Sequence, residues 1–163
     1  MKREVSTRET VGQALAKIPQ GVFVMTSHFE DRVAGVMVSW VQQVAFEPPM
    51  VMVAIRKGRP ITPLILDSHT FALCQVAKDD RLTMRKFFNS ESGDEFPFQS
   101  LELHRAATGA PIIAKSLAYL DCEVVRHVDV EADHDIYIGH IVAGEVLHDG
   151  EVILRDRESG YEY

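Results

Sequence analysis

Gly35-Val36-Met37-Val38-Ser39-Trp40-Val41-Gln42-Gln43-Val44-Ala45-Phe46-Glu47-Pro48-Pro49 begins as a strand, turns polar where a buried strand would stay apolar, and stops at two prolines. Proline lacks an N–H and holds the preceding residue extended, so ladder pairing should end at Glu47. Met50 to Ile55 follows at once as an unbroken apolar run, the pattern of a strand buried on both faces. It runs into Arg56-Lys57-Gly58-Arg59. A polar strand end beside a cationic loop suits a flat, polar-edged ligand with an anionic tail.

Working outward, Ser6 and Glu9 have capping-box spacing, and Val11, Ala14, Leu15 and Ile18 then share one helical face. Pro19-Gln20-Gly21 ends that helix. Val22 to Ser27 reads as a strand, Phe29 to Arg32 as a turn, and Val33 to Trp40 as the return strand. Pro60 to Leu66 reads as a short helix with proline in its first turn. Thr70 to Val76 is strand-like, and Asp79 is placed to cap a helix carrying Leu82, Met84, Arg85, Phe87 and Phe88. Asn89 to Pro111 is a mixed excursion in which Phe96, Phe98, Leu101 and Leu103 need cover. Leu117 to Val130 alternates, with Ala118, Leu120, Cys122 and Val124 on one face and Asp121 and Glu123 on the other. Ile136 to Leu147 is long for a strand, and Gly139 and Gly144 suit a bend or bulge. Asp149-Gly150 signals a hairpin into a last strand, Glu151 to Arg155. Many strands with few helices predict a mainly β, antiparallel barrel with peripheral helices, formed by residues 1–163 as one domain.

The 163 residues are 46% hydrophobic, enough for a sizeable core, and carry a formal charge of −7. That charge argues against nucleic acid as the main partner, since phosphate contacts need a basic face. Met1-Lys2-Arg3-Glu4 leads into no apolar signal segment, and no stretch approaches the roughly 18 apolar residues of a membrane span. The expectation is a cytoplasmic protein with no membrane contact. Cys74 and Cys122 lack metal or redox spacing and read as buried free thiols.

Other chemistries find little support. No glycine-rich dinucleotide fingerprint follows a strand, and no Gly-x-Ser-x-Gly elbow exists. The seven histidines show no zinc spacing, so no metal site is expected. Asp133-His134-Asp135 reads either as a turn before a strand or as a histidine placed to donate near a redox ring, its neighbouring acids favouring the charged form. Ser39, Trp40, Gln42 and Gln43 offer short polar groups and an aromatic wall, as an isoalloxazine ring requires, or else are an ordinary polar strand end. Arg56, Lys57, Gly58 and Arg59 can bind a phosphate by charge and backbone N–H groups, or form a solvated turn.

The order of these segments resembles the flavin reductase-like family with the FMN-binding split-barrel fold, and most of all the flavin reductase domain of cyanobacterial-type flavodiiron proteins. The segments that carry the resemblance are Gly21 to Thr26, Ser39 to Gln43 with Pro48-Pro49, Gly109 to Ile112, Leu117 to Val125, Asp133-His134, and the Ser159-Gly160-Tyr161 tail. The resemblance implies a split barrel that works as a homodimer, with FMN (or FAD) bound and NAD(P)H as electron donor. By position it implies that Met37, Val38, Ser39 and Trp40 edge the ring, with Gln42 and Gln43 following. Arg56, Lys57, Gly58 and Arg59 then lie near the phosphate, and His134 sits catalytically at the nicotinamide side. Cys74 stands where many members carry asparagine, so a flavin contact there would lack an amide's paired donor and acceptor. The implied activity is NAD(P)H-driven flavin reduction, with electrons passed to free flavin or an acceptor protein. The alternative is an FMN-binding electron carrier that is not an enzyme.

Overall fold

The computed structural model describes residues 6–88 and 96–162. One sheet of seven strands dominates, and the long run quoted above determines its shape. Strands β1 (Phe23–Phe29) and β2 (Arg32–Val38) form a hairpin. After only Ser39 and Trp40 the chain enters β3 (Val41–Ala45), which turns through Phe46–Pro49 into β4 (Met50–Arg56). With β5 (Thr70–Gln75), β8 (Ala118–Asp129) and β9 (His134–Val146), the order across the sheet is β2-β1-β5-β8-β9-β4-β3. Thus β2 and β3 are its two opposite edges, joined by two residues. Three Cα–Cα steps reach roughly 10 Å, so the sheet must curl until its edges nearly meet. Every pairing is antiparallel, so β2 and β3 run in the same sense. They are one extended segment that exchanges partner β1 for partner β4 at Ser39–Trp40. The expected polar strand end is therefore a strand that continues. The architecture is mainly antiparallel β with few helices, as expected.

The curled sheet encloses one core and carries another outside. Met25, Val36, Val38, Val53, Phe71, Leu73 and Tyr137 point inward, with helix α2 (Ile61–Ser68) adding Ile61, Leu64 and Ile65. Val24, Ala72, Cys74 and Val76 point outward beneath Phe87 of helix α3 (Arg81–Phe88), Phe98 of a 3-10 turn (Phe96–Phe98) and Ile112 of β7 (Pro111–Ile113). Strand β7 pairs with β6 (Leu103–Arg105), which lies within the expected excursion. Leu73 and Cys74 fall in different cores because side chains alternate across a strand. Gly35 lets the outer layer sit close: a Cβ there would stand 2.6 Å from Phe87 and 2.8 Å from Phe98.

Several expectations change. Strand β4 alternates buried and half-buried residues rather than being buried on both faces. Thr7, not Ser6, caps helix α1 (Arg8–Ala16), accepting from Thr10 N. Asp80 rather than Asp79 serves α3, accepting from Thr83 N. The expected apolar face of α1 is not buried: Val11, Ala14 and Ile18 are exposed, and Gly12 is the helix's buried residue. Asp121 is fully buried and accepts from the Thr108 N–H and hydroxyl, so its strand face is covered by the loop before β7. Glu151 to Arg155 form no strand; only Val152 bridges to Ala77. Register shifts do interrupt the β8–β9 pairing, but at Val142 of β9 and Val125 of β8 rather than at Gly139 or Gly144, which stay paired. The readings of Met1 to Glu4, of Asn89 to Glu95 and of the Phe96 side chain lie outside the described residues.

Phe71 is wholly buried and wedged against Gly139. Its replacement by alanine should cost about 3–5 kcal/mol in urea unfolding. Phe46→Ala, at a residue 90% exposed, should stay within about 0.5 kcal/mol in the same assay. Equal effects would contradict this core.

Candidate functional site

The partner exchange at Ser39–Trp40 leaves a gap in the sheet, and a cavity of about 420 Å³ opens there. Ser39, Trp40, Val41 and Gln42 line it from the junction, and Met52 and Ala54 from β4. Leu15, Ile18, Pro19 and Gln20 close it from the end of α1, and Arg157 and Gly160 from the C-terminal tail. Its size falls within the roughly 300–1,000 Å³ of small-molecule sites, and its lining is mostly apolar with a few polar groups, as such sites require.

All of those polar groups but Gln42, whose side chain bonds Gln43 O, form one connected cluster around Gln20, which is buried. An indole N–H and a guanidinium can only donate, so the Gln20 amide oxygen must face them. In that orientation it accepts from Trp40 Nε1 at 2.7 Å and Arg157 Nη2 at 2.8 Å, while its nitrogen donates to Ser39 Oγ at 3.2 Å. Arg157 Nη2 also donates to Leu15 O at the last turn of α1, at 3.3 Å. The tail reaches this place through a close crossing of glycines. Gly160 N donates to Gly12 O at 2.7 Å, and a Cβ on Gly160 would stand 2.1 Å from Leu15 Cβ. Arg8 covers the Tyr161 ring at 4.1 Å, and Arg155 N donates to Gln20 O.

On its other side Trp40 meets His134, with ring centroids 4.5 Å apart. His134 is buried and opposes Arg56 across the β4–β9 ladder. Its Nδ1 lies 2.9 Å from Asp133 Oδ1, so Nδ1 carries the proton and donates to the carboxylate. That hydrogen bond, then the histidine's charge, hold Asp133 below the ordinary carboxylate value. The basic turn follows, with Gly58 at φ +80 and in open space. Lys57 is already engaged: Nζ lies 2.7 Å from Asp129 and 3.6 Å from Asp135. The Asp129 hydrogen bond raises the Lys57 pKa and lowers that of Asp129. Asp135 also meets His127 at 3.2 Å, and the His127 ring stacks on Tyr137 at 4.6 Å.

Of the residues expected at the site, Ser39, Trp40 and Gln42 line the cavity, and His134 adjoins it through Trp40. Gln43 is exposed and bonds Ala45 O. Met37 and Val38 belong to the outer and inner cores. Arg56 is exposed and Arg59 half-buried, flanking Gly58 and the paired Lys57. Cys74 is elsewhere. It is fully buried in the outer core, with Sγ 3.5 Å from Ile113 N and 4.0 Å from Pro111 O, so its thiol fills a packing position against β7 rather than a ligand contact. Gln20, Arg157 and Gly160 were not expected. Gln20 reads in sequence as part of a helix stop, and nothing in a tail sequence tells where it docks.

This class of structure is an antiparallel sheet curled around a cavity at its seam, and comparisons with known proteins place it in a family. The family described as flavin reductase like domain matches residues 15–162, and the chain belongs to it. Diflavin flavoprotein A 1 of Synechocystis is 27% identical over 165 residues, covering 100% of this chain and 29% of that protein. A second Synechocystis protein of the same series is 32% identical over 154 residues, covering 93% of this chain and 25% of its own length. The chain thus spans about a quarter of these curated relatives. Among solved structures, the NADH:FAD oxidoreductase SgcE6 of Streptomyces globisporus superposes with a TM-score of 0.79 at 23% identity, over 87% of this chain and 84% of that one. Among the described residues no helix is long and apolar enough to cross a membrane.

Burial pushes the Cys74 thiol up to about 11 and raises Cys122 as well. Neither thiol should react with a disulfide reagent at pH 8 in the native protein, and both should react after unfolding. Fast native labelling of Cys74 would place it at a surface or open site instead.

Proposed function

We propose that this chain is an NAD(P)H:flavin oxidoreductase that binds FMN at the Ser39–Trp40 junction. One observation carries the reading: the seam cavity is apolar over most of its lining and gathers four of its polar residues, Gln20, Ser39, Trp40 and Arg157, into a single cluster. A flavin ring has the same division, a dimethylbenzene end and a polar pyrimidine edge. Ser39 and the backbone beside it would hydrogen-bond that edge, and Trp40 would wall the ring. Gln42 extends the lining toward the strand, and Arg56, Lys57, Gly58 and Arg59 would meet the phosphate. FAD shares the ring and the first phosphate. Bound flavin supplies the acceptor for the nicotinamide's two electrons, and the protein supplies orientation, electrostatics and exclusion of water. His134, held by Asp133 and set against Trp40, would shape the face where nicotinamide docks. A cytoplasmic homodimer passing electrons to free flavin or an acceptor protein accords with the family and with the exposed apolar residues Phe46 and Val146.

Mixing the FMN-loaded protein with NADH or NADPH in anaerobic stopped flow should bleach the flavin band, and His134→Asn should slow bleaching more than it weakens FMN. No bleaching by either nicotinamide would leave the non-enzymatic carrier as the reading. Lys57→Ala combined with Arg59→Ala should weaken FMN about tenfold, the worth of a charge-assisted hydrogen bond, and leave riboflavin nearly unchanged. Equal loss of both ligands would remove the phosphate role from this turn. Quenching of the single tryptophan, Trp40, reports both affinities.

A further inference from the structure

The cations near the seam are not equivalent. Lys57 is compensated by Asp129 and Asp135. Among the described residues lining the cavity, Arg157 alone has an ionisable side chain, and its hydrogen bonds all go to neutral acceptors. Its partners are the Gln20 amide oxygen, Leu15 O and Glu162 O. Its Nε is buried, with no hydrogen-bond partner among the described residues. A guanidinium stays cationic at any working pH. Neutral acceptors orient it without cancelling its charge, and half-buried against the apolar lining of the cavity it is screened less than in open water. Helix α1 adds the negative end of its dipole at Leu15 O, which favours a cation there.

We propose that Arg157 supplies positive charge to the polar edge of the bound ring and thereby favours reduced over oxidised flavin. This rests on the flavin reading of the cavity. The orientation follows from connectivity: Gln20 ties Arg157, Trp40 and Ser39 into one polar cluster, so the pyrimidine edge belongs beside the guanidinium. In the reduction, the C4–H bond of the nicotinamide breaks and an N5–H bond forms, the electron pair moving with the hydrogen. The nicotinamide leaves as its oxidised, positively charged form. The added negative charge spreads to the N1–C2 carbonyl edge, where a fixed cation stabilises it. Such preorganised charge stabilises the product more than the reactant. Gln20 is the positioning residue that aims Arg157 while holding Trp40.

The test compares affinities for oxidised FMN and for dithionite-reduced FMN under anaerobic conditions, read by Trp40 quenching, together with the midpoint potential of the bound flavin. Arg157→Gln should leave oxidised FMN within about threefold and weaken reduced FMN about tenfold, a potential about 30 mV lower for a two-electron couple. Arg157→Lys, which keeps the charge, should restore most of the difference. Should Arg157→Gln melt or bind no flavin, the lysine variant decides: a reduced-to-oxidised affinity ratio near wild type supports the charge role. Equal weakening of both redox forms by Arg157→Gln, or an unchanged potential in that variant, would make Arg157 a tail anchor only and overturn the proposal, as would an affinity ratio that falls about tenfold in the charge-keeping lysine variant. Absence of Trp40 quenching by FMN or riboflavin in the wild-type protein would instead overturn the flavin reading beneath it.

Discussion

Two residues join the opposite edges of a seven-stranded sheet, and the rest of the molecule accommodates that constraint. Ser39 and Trp40 can bridge β2 and β3 only if the sheet curls. Curling creates an inside, filled by Met25, Phe71, Tyr137 and their neighbours, and an outside that needs its own cover from α3 and β7. The same constraint prevents full closure. A segment that exchanges one partner for another cannot offer both of them ladder hydrogen bonds at the exchange point. Trp40 O accepts from Ala54 N there, while the side chains of Ser39 and Trp40 turn to Gln20 and His134. The seam is thus the place where backbone regularity is given up and polar side chains become necessary.

What could be read in the sequence followed from how local its cause was. Period-two runs such as Thr70 to Val76 and Leu117 to Val130 are decided by which face meets a core, so their existence and type were legible. The polarity of Gln42 and Gln43 was legible too, but its meaning was not. It looks like a strand end, and is an edge strand whose outer face meets solvent. Asp121 shows the same limit. Its carboxylate alternates correctly for a solvent face, yet a loop from Thr108 arrives to cover it. Cys74 was weighed as a ligand position because of the asparagine usual there. The two-residue alternation of β5 sends it to the outer core with Val24 and Ile113.

The site divides along the same line. Ser39, Trp40 and His134 lie on or beside the strands that make the seam, so their proximity follows once the ladder is known. Gln20 and Arg157 are brought there by a helix end and a tail lacking regular structure, whose placement depends on one tertiary contact. At Gly12 and Gly160 the two backbones come close enough for a hydrogen bond of 2.7 Å, and a side chain at either position would collide with the other segment. No propensity encodes that crossing; only the absence of two Cβ atoms permits it.

The position of the tail has an electrostatic consequence. A charge just beyond a strand end sits close to partners on the neighbouring strands, as Lys57 after β4 faces Asp129 and Asp135. Desolvating a cation beside its counterion leaves little field for a third group. A charge carried on a strap laid across the cavity can instead be held by carbonyl and amide oxygens, which orient it and leave its field intact. On this reading the chain would separate two tasks that the basic residues of its sequence would otherwise share. On the proposed reading, the turn after β4 would meet an exposed, screened anion, where compensated charges suffice. The tail would present a cation held by neutral acceptors to the apolar side of the cavity, where water screens it less than at the open turn.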